Sequence, residues 1–231
     1  MEWQQWCAEL VEVLGLGKTP VGVTYSDELP EGVGVPKCRV CSALHQASEG
    51  SLIALGAENS VCPGGSLFLG LREQDAADAE RLRDFLINGE KLVSCPASAY
   101  RMRKTGPQPP LGMARYAVFA PLDKMPLRPD VTVVFCNAAQ AARLVSLAWY
   151  ETGEALQCDP SGASCRSVIT YPLVTGRFNV SFGDITERRS EKLPPEELYV
   201  SLPWTMLRSV VWSMEGSSAG RATMDLSRMP Q

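Results

Sequence analysis

Hydrophobic positions at three- and four-residue steps open the chain. Trp3, Trp6, Leu10, Val13 and Leu14 fall on one face of a helix. Cys7 lies beside that stripe, and Gly15 and Gly17 mark its end. The pattern then changes to short apolar runs. Pro20–Tyr25 (PVGVTY) predicts a strand, followed by a Pro- and Gly-rich loop from Ser26 to Lys37. Ser42–Ser48 predicts a short helix closed by Gly50, and Ser51–Gly56 a buried strand. Pro63, directly after Cys62, suits the first position of a helix reaching Leu71. Asp75–Leu86 predicts a charged amphipathic helix. Pro107, Pro109 and Pro110 predict a long loop over Cys95–Met113.

Arg115–Leu122 and Val131–Cys136 predict two further strands, the second so apolar that it belongs at the centre of a sheet. Asn137-x-x-Gln140 has the form of a helix capping box, with Ala141, Leu144, Val145 and Ala148 on one face behind it and Gly153 at its end. Glu154–Cys158 reads as a strand, Ser161–Ser164 as a turn, and Cys165–Pro172 as a short helix. Phe178–Gly183 and Glu197–Leu202 read as the last strands and Trp204–Met214 as a closing helix. The expected fold is a mixed α/β domain over residues 1–214, with 215–231 as a loose tail. Strand, helix, Gly, strand, turn, Cys and helix follow one another in residues 20–71 and again in 131–172. That recurrence predicts two related halves, about 18–72 and 115–176, with Cys62 and Cys165 in matching places.

Composition narrows the chemistry. The 231 residues are enough for a full hydrophobic core without a stapling disulfide or metal. A net charge of −4 gives no footprint for nucleic acid or for an anionic membrane. The start, MEWQQWCAEL, has no secretory pattern, and no stretch approaches the roughly 20 apolar residues of a membrane span. A reducing cytoplasm is therefore expected, where the eight cysteines would be thiols or metal ligands.

Cys38-x-x-Cys41 is the one close pair, and there is neither a second such pair nor more than one histidine, His45, to complete a zinc site. More telling, Cys41, Cys62, Cys136 and Cys165 each stand at a predicted helix start, where unpaired N–H groups and the helix dipole favour thiolate. Three or four of them converging would make an iron–sulfur site. Each is otherwise a small buried residue at a helix–strand junction. Cys7, Cys95 and Cys158 lack that placement. His45, one turn after Cys41, could orient a thiolate, bind iron, or simply face partly into solvent. Cys62-Pro-Gly-Gly lacks the Lys-Ser/Thr of a P-loop, and no GxGxxG follows a strand.

The order of segments resembles the bacterial and archaeal family named domain of unknown function 169. The matching stretches are LGLGKTPVGVTY, Cys41-SALHQASEG, Cys62-PGGSLFLGL, YAVFAPL and CNAAQAARLVSLAWYETGE, then Cys165 ahead of YPLVTGRFNVSFGD, and ELYVSLPWTMLRSVV. They span about residues 8–214. In such sequences the cysteines matching Cys41, Cys62 and Cys165 recur, whereas those matching Cys38 and Cys136 vary. The resemblance thus implies a three-thiolate site, with Cys38 or Cys136 as a local fourth ligand. The expected cofactor is a [4Fe-4S] cubane on Cys41, Cys62 and Cys165. Its open iron would act as a Lewis acid on a small-molecule substrate, removing water, sulfur or another leaving group, with His45 as candidate catalytic residue. The alternatives are an electron carrier or redox sensor closed by a fourth cysteine and served by a redox partner protein, or a zinc-stabilised or metal-free small-molecule binding domain.

Overall fold

The structure, a computed structural model, describes residues 1–160 and 162–229. Six strands form one sheet: β1 (Val21–Ser26), β2 (Ile53–Leu55), β3 (Tyr116–Pro121), β4 (Val131–Cys136), β5 (Asn179–Ser181) and β6 (Leu198–Pro203). Their order is β2-β3-β1-β4-β6-β5, and every neighbouring pair is antiparallel. β1 and β4 meet at the centre, Val21 opposite Val133 and Val23 opposite Val131. All six residues of β4 are buried, as its almost wholly apolar run predicts.

Helices cover both faces. On one, α1 (Glu2–Leu14), α6 (Ala138–Trp149) and α9 (Trp204–Gly216) bury Trp6, Leu10, Leu144, Leu207 and Val210 against Val134, Val200 and Leu202 of the sheet. On the other, α2 (Val40–Ser48) and the segment ending in α7 (Tyr171–Thr175) pack Leu44, Val168 and Ile169 against Phe119, Val133, Phe135 and Tyr199. Short helices α3 (Pro63–Phe68), α4 (Ala76–Asp84), α5 (Pro96–Lys104) and α8 (Ile185–Ser190) complete the α-helices among the described residues. The chain is a mixed α/β domain, and the Asn137–Gln140 capping box forms with both reciprocal bonds at 2.9 Å. Among the described residues, no helix is long and apolar enough to cross a membrane.

Several segments differ from expectation. Residues 96–104, expected as loop, form α5, because the disruptive prolines begin only at 107 while Pro96 takes the permitted first helical position. Glu154–Cys158 is irregular rather than a strand. The peptide N–H and C=O of Asp159, just beyond it, bond to the Asn179 side chain at 2.7 and 2.9 Å instead of to a ladder. Edge strand β5 therefore follows Cys165, whereas edge strand β2 precedes Cys62, so the order expected for residues 131–172 does not form. α8 was missing from the pattern altogether. Of the turn expected at Ser161–Ser164, Ser161 lies outside the described residues, as do residues 230–231 of the tail. The tail is not loose at its start: Arg143 donates to Ala219 O at 2.7 Å, and Arg221 pairs with Glu215 at 2.7 Å.

Candidate functional site

Three cysteines reach the site from three separate segments. Cys41 is in the first turn of α2, after the cap Arg39. Cys62 caps α3, where its sulfur accepts the Gly65 N–H at 3.3 Å. Cys165 opens a π-helical turn, Cys165–Thr170, that leads into α7. All three line one cavity of about 100 Å³. A glycine makes the approach possible: a Cβ on Gly65 would stand 2.7 Å from Val40 Cγ2, so a larger residue would push α3 and Cys62 away from α2 and Cys41. The remaining walls are largely apolar, with Phe68, Leu82, Phe85, Leu86 and Met102.

The Cys41 and Cys165 thiols resist ionisation as they stand. Burial, then the Glu187 carboxylate, push Cys41 up to about 12, with Cys62 adding to the rise and Arg39 opposing it. Burial raises Cys165 well above the ordinary thiol value, followed by Cys62, Asp184, Cys41 and Glu187. The sulfurs are thus close enough to oppose one another's charge. A cationic centre among them is what would make three thiolates compatible with this cavity.

The other cysteines fall elsewhere. Cys136 was a candidate fourth ligand, but strand alternation sends Phe135 to the α2 face and Cys136 to the opposite core with α1 and α6. There burial, then Glu197, push it to about 12. Cys7 shares that core. Cys38 packs on the α2 side but does not line the cavity, although its strand-like bridge to Ser60 ties it to the segment leading to Cys62. Cys158 is exposed, and Cys95 heads α5, where its sulfur meets the Ser98 hydroxyl at 3.4 Å.

His45 is buried and does not line the cavity. It stands behind a carboxylate that does. Tyr199 OH donates to Glu187 Oε1 at 2.9 Å, and His45 Nε2 lies 2.9 Å from the same hydroxyl and 3.4 Å from Oε1. Since the tyrosine proton goes to the carboxylate, the network assigns a hydrogen to His45 Nε2, pointing at the tyrosine oxygen. Sequence reasoning missed Glu187. Asp184-x-x-Glu187 has the form of a capping box, in which Glu187 would reach back to the Asp184 N–H. Ser164 Oγ takes that N–H instead at 2.7 Å, which frees Glu187 to turn inward.

Among the described residues, no three His, Cys, Asp or Glu side chains are gathered closely enough to hold one metal ion. A cubane has a different requirement. Each thiolate binds its own iron at a separate corner, so its ligands stand wider apart than those around a single zinc. Three thiols of separate segments in one mainly apolar cavity fit that donor set.

A family profile described as DUF169, uncharacterised ArCR, matches residues 9–212. An uncharacterized protein of Methanocaldococcus jannaschii is 24% identical over 216 residues, covering 90% of this chain and 91% of its own. No solved structure matches. The chain belongs to the DUF169 family.

Proposed function

We propose that this DUF169 protein holds a cubane iron–sulfur cluster through Cys41, Cys62 and Cys165 and uses it on a small molecule. The supporting observation is the meeting of these three cysteines, distant in sequence, in a single cavity. When bound, the cluster would supply a Lewis-acidic iron at the corner no cysteine holds. The chain's own groups do the rest. Phe68, Leu82 and Leu86 keep water from the sulfurs, and the Gly65 N–H steadies the Cys62 sulfur. Thr186 donates to Glu90 at 2.5 Å, while Arg39 and Ser42 both bond Glu191, at 2.9 and 2.8 Å. These links fix the cavity edge, where Glu90, Thr186 and Arg39 are lining residues. The reaction class that suits such a site is removal of water, sulfur or another leaving group from a small substrate.

A second reading is an electron carrier closed by Cys38, favoured by the bridge between Cys38 and Ser60. Single Cys→Ser changes separate the two in protein purified without oxygen. Loss of iron and of visible charge-transfer absorption is expected for Cys41→Ser, Cys62→Ser and Cys165→Ser, but not for Cys136→Ser. An equal loss in Cys38→Ser would favour the carrier. Colourless wild-type protein carrying zinc would overturn both.

A further inference from the structure

We propose that Glu187 is the protein's own ligand at the fourth corner of this site, an oxygen donor beside three thiolates. The inference rests on the cluster reading above and goes beyond it by naming what faces the iron that no cysteine reaches.

Three observations carry it. Glu187 lines the cavity with Cys41, Cys62 and Cys165, yet its side chain is only 1% exposed. Its Oε1 is held by Tyr199, whereas its Oε2 is buried without a hydrogen-bond partner among the described residues. A buried carboxylate oxygen left bare is costly, and a bound cation is one of the few partners that could offset that. The two other carboxylates at the cavity are already engaged: Asp184 Oδ1 accepts the Glu187 N–H at 2.7 Å and Oδ2 the Ser164 N–H at 2.9 Å, and Glu90 Oε1 accepts the Thr186 hydroxyl at 2.5 Å. Space for Oε2 is preserved by Gly183, which has φ +73°, because an added Cβ would stand 3.0 Å from it.

Ligation would need no redox step. A lone pair of the Glu187 carboxylate would be shared with iron, while the Tyr199 hydroxyl and His45 hold the other oxygen in place. Such a ligand is more easily displaced than a thiolate, so an incoming substrate oxygen or sulfur could take its place.

The test is Mössbauer spectroscopy of ⁵⁷Fe-reconstituted holoprotein, for wild type, Glu187→Gln and Glu187→Cys. In wild type, about one quarter of the iron should show a distinct, oxygen-ligated subsite. Glu187→Gln should shift that quarter and leave the rest unchanged, while Glu187→Cys should merge it with the others at full iron content. A loaded Glu187→Gln protein with the wild-type spectrum would overturn the ligand assignment alone. Wild-type protein taking up no iron and sulfide would overturn the cluster reading and this inference with it. If Glu187→Gln fails to fold, Glu187→Cys decides: four like sites support the assignment, and a persisting distinct quarter overturns it.

Discussion

Replacing Tyr199 by phenylalanine removes one oxygen from a fully buried position and leaves two groups without their partner. The hydroxyl donates to Glu187 Oε1 at 2.9 Å and meets His45 Nε2 at 2.9 Å. A hydrogen bond to an ionised acceptor contributes about 1.5–3 kcal/mol, and a neutral one about 0.5–1.5 kcal/mol. Tyr199 is 0% exposed, so bulk water does not reach the gap left by the oxygen. The Tyr199→Phe change should therefore cost about 2–4 kcal/mol of stability. Tyr25→Phe is the control: it also removes a tyrosine hydroxyl, a part-buried one that donates to the Leu69 carbonyl at 2.9 Å, and should cost about 1 kcal/mol. Urea unfolding of cluster-free, reduced protein at neutral pH measures both, with the slope against urea unchanged. A Tyr199→Phe loss no larger than that of Tyr25→Phe would refute the picture of Glu187 held by tyrosine and histidine.

Three further outcomes are expected. The hydroxyl of Ser98 lowers the Cys95 thiol to about 7, so iodoacetamide should label Cys95 first at pH 8, with Cys41 and Cys136, both near 12, protected until unfolding; peptide mapping showing even labelling would contradict this. The Cys41, Cys136 and Cys165 thiols are raised in the fold above the unfolded value of about 8.5. Their contribution is full below that pH and is lost as pH climbs toward 12, so the Tm of cluster-free protein should fall from about pH 9 upward, and a Tm unchanged to pH 10.5 would count against it. Gly65→Ala forces a Cβ against Val40 and should cost about 1–3 kcal/mol in urea unfolding and weaken iron retention; wild-type behaviour on both counts would show that the α2–α3 approach is less tight than described.

The sheet and most helices were legible because they follow from local rules. The β4 run is apolar but for Thr132, the Asn137–Gln140 box announces α6, and Pro63 announces α3. The cysteines at helix heads were legible for the same reason. What escaped depends on tertiary structure. A strand with apolar residues on both faces does not mark which side turns to the cavity, so the β4 sequence did not tell that Cys136 turns away from it. α5 was hidden by prolines that lie just past its end. Glu187 was masked by a capping pattern that Ser164, 20 residues earlier, diverts, and Tyr199 looked like one more strand aromatic.

The most direct measurement is iron and acid-labile sulfide per chain in protein reconstituted without oxygen, compared with a Cys41/Cys62/Cys165 triple alanine variant. The account predicts about four of each in the wild type and none in the variant. A wild type that binds neither, or a variant that binds both as well as the wild type, would contradict it.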